Sequence, residues 1–329
     1  MSVIDSHPVK QEAYQLSVCT GWQDWDALVA NSMQGHVFSS SHFLKALGLP
    51  FTCYQVLTPT GVCVAGIAVI EDGQVMRRVP ISFTPHQGIL FANNLNQLQT
   101  QKKITAQLRI TEFLIKQLIL IYQSCSMSLS PFFQDLRPFL WHNYGLIDQP
   151  KFNIVNRYTS RLNLNHFNFQ DYLCSIRSVR RQEYKKSMAV VNSSNDVDQF
   201  LSIYKKTFQR QGLEVNTQDI GLVERIAQSS LENKYGRLMS AKVNDQPASM
   251  ALFIFDMNCA YYLFGANDPE FRNSGASTRL MIESVQYFAS QALTSFDFVG
   301  VNSPSRGDYK LSFNPDLLPY QEVHLQSGK

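Results

Sequence analysis

Residues 246–313 read QPASMALFIFDMNCAYYLFGANDPEFRNSGASTRLMIESVQYFASQALTSFDFVGVNSPSRGDYKLSF, and the order of parts in this stretch decides the fold. Two β-rich runs, 249–255 and 259–265, flank Asp256-Met257-Asn258, a connection short enough for a hairpin turn. Arg272-Asn273-Ser274-Gly275-Ala276-Ser277 then precedes Leu280, Met281, Ser284, Val285 and Phe288, which recur at helical spacing, with Ser274 or Ser277 available as a cap. A glycine turn feeding a helix N-terminus presents unpaired backbone N–H groups at the positive end of the helix dipole, an arrangement suited to a phosphate. Ser295-Phe296-Asp297-Phe298-Val299-Gly300 follows as a short strand with a carboxylate between aromatic rings, and Tyr309-Lys310 lies just beyond.

Working outward, the pattern predicts a strand at 156–164, helices at 169–188, 197–211 and 218–229, and strands at 237–244, 248–256 and 259–265. A helix at 276–292 and a strand at 295–299 complete that half. Toward the N-terminus, a loose tail to about residue 17 leads to helices at 22–31 and 40–47 and strands at 52–57, 62–70 and 75–83. A short strand at 89–92 and a helix at 102–122 with an apolar stripe at 104, 108, 115, 118 and 119 come next, then a β-like segment at 126–129 and an aromatic loop at 141–145. Two helices, a three-strand meander, a helix and a strand therefore occur twice, offset by roughly 185 residues. The expected fold is mixed α/β (α+β) with two halves, 1–150 and 151–329, each a largely antiparallel sheet flanked by helices, and a groove between them.

A chain of 329 residues with 44% apolar and only 17% charged side chains can bury a substantial core. The net charge of +3 gives no argument for DNA binding, so any anion site must be local. Six cysteines without a CxxC pair read as reduced thiols, and seven histidines without HExxH or HxxxH spacing give no support to a metal site. The first fifteen residues lack an apolar signal region, and the most hydrophobic helix candidate, 108–122, is interrupted by Arg109, Glu112 and Lys116. A soluble, cytoplasmic protein that does not span a membrane is expected.

Three motifs together resemble the Fem-type family of GNAT-fold acyltransferases, which includes peptidoglycan aminoacyltransferases and acetyltransferase-like proteins of polysaccharide gene clusters. They are Ser178-Val179-Arg180-Arg181 with Lys185-Lys186, Phe296-Asp297-Phe298-Val299-Gly300, and Tyr309-Lys310-Leu311-Ser312-Phe313. Trp25-Asp26 and the helix at 39–47 are a weaker N-terminal echo. The resemblance implies tandem GNAT-like halves, an active site in the C-terminal one, and transfer of an acyl or aminoacyl group onto an amine of a cell-wall or surface-polysaccharide precursor. The implied acceptor is a small-molecule or lipid-linked sugar or peptide amine. The donor would be a co-substrate, acyl-CoA or aminoacyl-tRNA, with no permanently bound cofactor. Arg272-x-x-Gly275-x-Ser277 approximates the pyrophosphate loop of acetyl-CoA-binding GNAT enzymes, but serine replaces the usual final glycine or alanine, which leaves the donor open. No heptad run suggests a helical arm for tRNA, which favours a small activated donor.

No Ser-His-Asp or Cys-His arrangement and no GxSxG occurs, so direct attack on an activated donor fits the residues present. The resemblance places Lys310 in the active-site groove, where its charge would stabilise a phosphate or oxyanion; a lysine stem packed on Tyr309 or Phe313 would look the same in sequence. Asp297 could take the amine proton or be a core carboxylate, paired for instance with Arg306. Arg177, Arg180, Arg181, Tyr184 and Lys185 share a helix face that could hold a pyrophosphate-linked acceptor or be a solvated surface. Arg272, Gly275 and Ser277 would hold donor phosphates, or merely start a helix. A non-catalytic GNAT-fold protein that binds an anionic nucleotide-type ligand is the alternative.

Overall fold

The computed structural model describes residues 14–209 and 217–326. The chain begins with β1 (Gln15–Val18), α1 (Trp22–Asn31), α2 (Ser41–Ala46), β2 (Phe51–Leu57), β3 (Cys63–Asp72), β4 (Val75–Met76) and β5 (Leu90–Phe91). It continues through α3 (Thr100–Tyr122), β6 (Ser124–Ser128), α4 (Arg137–Leu140), β7 (Asn153–Asn163), α5 (Phe169–Ser175), α6 (Ser178–Lys186), β8 (Val190–Ser194), α7 (Val197–Gln209) and α8 (Thr217–Glu232). The last elements are β9 (Gly236–Val243), β10 (Gln246–Phe255), β11 (Cys259–Asn267), α9 (Ala276–Ser290), β12 (Ser295–Asp297), α10 (Pro304–Leu311) and β13 (Asp316–Gln326).

Two sheets result. The smaller has the order β1-β2-β3-β4 with β5 on β3, all antiparallel. The larger runs β6-β13-β7-β12-β11-β10-β9-β8 and is antiparallel except for the β11–β12 pair. The run VAGIAVI makes β3 a central strand, buried on both faces from Val64 to Ile70. Gly66 is required there, because a Cβ would lie 2.6 Å from the Leu28 side chain and 2.9 Å from the Tyr54 carbonyl. One apolar cluster joins α1, α2 and β3 to α7, α8, β10 and β11, so the two sheets share a core. Asp256 in the β10–β11 turn ties the same regions together, accepting N–H bonds from Val37 (3.1 Å), Asn258 (2.9 Å) and Cys259 (2.9 Å).

Several expectations need correction. The helix expected at 169–188 is two: Ile176 and Arg177 are extended, Ile176 is buried, and the Arg177 N–H bonds the Ser312 carbonyl at 3.0 Å. The strand expected at 75–83 ends at Met76, and the stretch after it, with buried Val79 and Ile81, contains Pro80, which has no N–H for a ladder. On α3 the buried face runs through Ile110, Leu114, Ile115, Leu118 and Tyr122, whereas Ile104 is 43% exposed. β8, α10 and β13 were not foreseen, and β13 is inserted between β6 and β7, bringing 124–128 into the larger sheet. The expected tail falls outside the described residues through residue 13, and 15–18 of it is β1; the expected residues 210 and 211 of the 197–211 helix also lie outside them.

Candidate active site

The cleft originates where two parallel strands part. β11 and β12 pair at Cys259/Ser295, Ala260/Phe296 and Tyr261/Asp297, and there β12 stops. The Asp297 carboxylate accepts the Val299 N–H at 2.8 Å, the Phe298 N–H turns to the Ser160 carbonyl at 2.8 Å, and Val299 and Gly300 adopt φ of 54° and 48°. Beyond Tyr261 that edge of β11 has no strand partner among the described residues, and opposite Leu252/Phe253 the β10 register slips, which makes Leu263 a bulge. A cleft of about 810 Å³ opens here. Its walls come from 80–85, α7, β11, the first turn of α9, Val299-Gly300, α10 and β13.

Lys310 reaches into this cleft from α10. Its Nζ donates to the Val299 carbonyl at 2.7 Å and lies 5.3 Å from the Tyr262 ring centre. Protein packs densely around the ammonium, and that desolvation brings its pKa down to about 8; the nearby negative charge of Asp297 works against the fall and Arg306 adds to it. Asp297 is not on the cleft surface: it is buried behind Val299, accepts from Thr159 Oγ1 at 2.5 Å, and has its pKa raised by burial despite Arg161. Arg306 lines the cleft one helical turn before Lys310, so the anticipated Asp297–Arg306 pair is replaced by Thr159, the Val299 N–H and Arg161.

Tyr309 and Ser277 also line the cleft, and burial raises the Tyr309 pKa, offset in part by the neighbouring Ser277 hydroxyl. The remaining residues picked out in the sequence lie off its surface. Arg180 stacks on the Tyr309 ring at 4.8 Å, donates to Ser312 Oγ at 2.9 Å and pairs with Glu183 at 2.6 Å. Arg181 donates to the carbonyls of Cys174 (2.5 Å) and Ile176 (2.9 Å), closing the end of α5. Arg177 pairs with Asp308 at 2.6 Å, Tyr184 packs on Phe169 beneath Arg279, and Lys185 is exposed. Gly275, at φ 69°, starts α9 with its Cα against the Glu183 carbonyl, while Arg272 is exposed.

Sequence reading missed Arg306, Tyr320, Glu322, Tyr204 and the 80–85 segment as cleft walls. Reading 304–311 as a helix begun by Ser303-Pro304 would have put Arg306 on the Lys310 face. Among the described residues, no group of three or more His, Cys, Asp or Glu could hold a metal, and no helix is long and apolar enough to cross a membrane.

Residues 175–311, which supply the parted strands, α9 and Lys310, match the Acetyltransferase (GNAT) domain family. This part of the chain is a GNAT domain, and the protein is an acyltransferase. Its whole-chain architecture is that of the tandem GNAT proteins: the crystal structure of FemX superimposes with a TM-score of 0.67 at 14% identity, covering 93% of this chain and 96% of FemX. L-PGS from Bacillus licheniformis gives 0.53 at 12% identity, covering 93% and 92%. A tandem GNAT protein from the clavulanic acid biosynthesis pathway gives 0.52 at 11% identity, covering 96% and 99%. The chain as a whole thus has the fold shared by FemX and the tandem GNAT proteins. No curated protein matches it in sequence at a significant level.

Proposed function

We propose that this protein is an N-acyltransferase that moves an acyl or aminoacyl group from an activated donor onto an amine of a cell-wall or surface-polysaccharide precursor in the cytoplasm. The two halves meet near residue 150, and the C-terminal one carries the chemistry. The observation that carries this reading is the Lys310 ammonium, densely packed, facing the cleft, and held by one neutral carbonyl. A positive charge in a water-poor site is placed to stabilise negative charge that develops on a carbonyl oxygen.

In this reading the neutral acceptor amine attacks the donor carbonyl carbon, a C–N bond forms, and Lys310 stabilises the oxyanion. The adduct collapses with cleavage of the C–S or C–O bond to the leaving group. Lys310, with a pKa of about 8, hands its proton to the departing sulfur or oxygen and is reprotonated by the proton lost from nitrogen. Asp297 supports the protonated lysine from behind. The unpartnered edge of β11 offers backbone groups to an extended amide chain of the donor, as a sheet edge does to an added strand. An acyl-CoA would set its phosphates by Arg272, Gly275 and Ser277 at the start of α9; an aminoacyl-tRNA would need a wider basic surface than the internally bonded Arg180 and Arg181 offer. The likeness to FemX and L-PGS supports the aminoacyl branch, and the glycine turn at the α9 N-terminus supports the acyl-CoA branch.

The test is transfer of labelled acyl groups from acetyl-CoA, longer acyl-CoAs and charged tRNA to amino-sugar nucleotides by wild type and Lys310→Met. Loss of about 10²–10³ in kcat with an intact fold is expected for removal of such a stabilising group. Undiminished kcat in the variant would sink the assignment of Lys310.

A further inference from the structure

The cleft has two chemically distinct walls. Besides the charged groups of α10, the rings of Phe83, Tyr204, Phe208 and Phe264 line it and pack on one another, with centroid distances of 4.7 Å for Phe83–Phe264, 4.8 Å for Tyr204–Phe208 and 6.0 Å for Tyr204–Phe264. Ile81 and Leu263 extend this wall. It is a continuous apolar surface within a cleft of about 810 Å³, far more than an acetyl group would cover.

The charge distribution narrows what this wall can take. Aromatic faces attract cations, but the cationic groups lining this cleft are Arg306 and Lys310, and the field of Arg306 reaches both Tyr204 and Tyr262. The carboxylate lining the cleft, Glu322, is engaged by Arg157 at 3.1 Å. Asp219, across α7, is the negative group that also reaches Tyr204. A charged ammonium set on these rings would face two protein cations, whereas a neutral apolar chain would not.

We infer that the wall of Phe83, Tyr204, Phe208 and Phe264 is the subsite for an apolar acyl chain longer than acetyl, lying with its carbonyl end toward Lys310 and Arg306. This rests on the acyltransferase reading for the word acyl; the apolar subsite itself does not. The group transferred is then a medium-length apolar acyl group, and acetyl is a poor substrate.

Straight-chain carboxylates from acetate to octanoate probe the subsite without turnover, the carboxylate standing in for the acyl carbonyl oxygen. Dissociation constants are measured by calorimetry at pH 7 for wild type, Phe83→Ala, Phe83→Leu, Phe208→Ala and Arg306→Gln, with the melting temperature of each variant as the check on folding. Burial of a methylene is worth about a fourfold gain in affinity, so wild type should tighten about two- to fourfold per carbon until the wall is covered. Phe83→Ala should flatten that slope, Phe83→Leu should restore part of it, and Arg306→Gln should weaken every chain length alike without changing it. No binding at any length, affinity independent of length, or a slope untouched in both alanine variants overturns the inference. A preserved slope in a protein that transfers no acyl group would fault the acyltransferase mechanism alone, and a missing slope in a protein that transfers acetyl would fault this inference alone.

Discussion

Replacing Lys310 by methionine should make the protein more stable at neutral pH while cutting kcat by about 10²–10³. The side chain is drawn from its ordinary pKa of 10.5 to about 8, chiefly by desolvation. That fall corresponds to a penalty of about 3 kcal/mol for holding the charged form in the folded state. The folded pKa lies below the unfolded one, so below pH 8 both states carry the proton and the penalty is present in full. Between pH 8 and 10.5 the folded protein releases the proton while the unfolded chain retains it, and stability rises with pH. Methionine removes the penalty but gives up the 2.7 Å bond to the Val299 carbonyl, a loss of about 1–1.5 kcal/mol. The net gain expected at pH 7 is about 1–2 kcal/mol, shrinking toward zero or below by pH 10.5. Urea unfolding of both proteins at pH 7 and pH 10, followed by tryptophan fluorescence, measures it. A variant less stable than wild type at pH 7, with a gap that does not change at pH 10, would refute the reasoning.

Asp297→Asn removes the negative charge that props up the protonated Lys310, so the alkaline limb of the pH–rate profile should move to lower pH; an unmoved limb would show that the two groups do not communicate. Asp256→Ala leaves the N–H groups of Val37, Asn258 and Cys259 without their acceptor where α2's approach meets the β10–β11 turn. A loss of about 3 kcal/mol is expected in denaturant titration. Gly275→Ala puts a Cβ 2.7 Å from the Glu183 carbonyl at a φ of 69°, so at least about 1–2 kcal/mol should be lost. If the α9 turn also holds donor phosphates, KM for the donor should rise by more than the stability change accounts for, and an unchanged KM would remove Gly275 from the donor site.

The sequence was readable where chemistry and structure are both local. The β10–β11 hairpin, the Gly275 turn and the α9 stripe each carry their signal within one short stretch, and each element is where it was expected; Tyr309-Lys310 stood out by its motif, but the helix α10 that carries it was not foreseen. What could not be read depends on partners far away in the chain. β13 has the mixed composition DLLPYQEVHLQ and becomes a strand because β6 and β7 flank it. Arg180 and Arg181 looked like a phosphate-binding stripe, but their guanidinium groups are occupied by Ser312, Glu183 and two carbonyls of the preceding turn, none of which is near in pattern. The aromatic wall is assembled from residues 83, 204, 208 and 264, so no window of sequence contains it.

Those same long-range contacts explain why a costly lysine is kept. Among the described residues, the charged groups lining the cleft are Arg306, Lys310 and Glu322, and Glu322 is matched by Arg157 from β7. Asp297 sits behind the strand end, bound to Thr159 and the Val299 N–H, close enough to favour the Lys310 charge without touching it. Had Asp297 reached the ammonium, the pair would have been satisfied and inert; had it been absent, burial would have driven the lysine further toward its neutral form. The strand break at Asp297 therefore does two things at once: it opens the cleft by parting β12 from β11, and it holds the carboxylate at a remove from Lys310. Among the described residues the cleft surface is left short of one negative charge, which an oxyanion, a phosphate or a carboxylate of a bound substrate would supply.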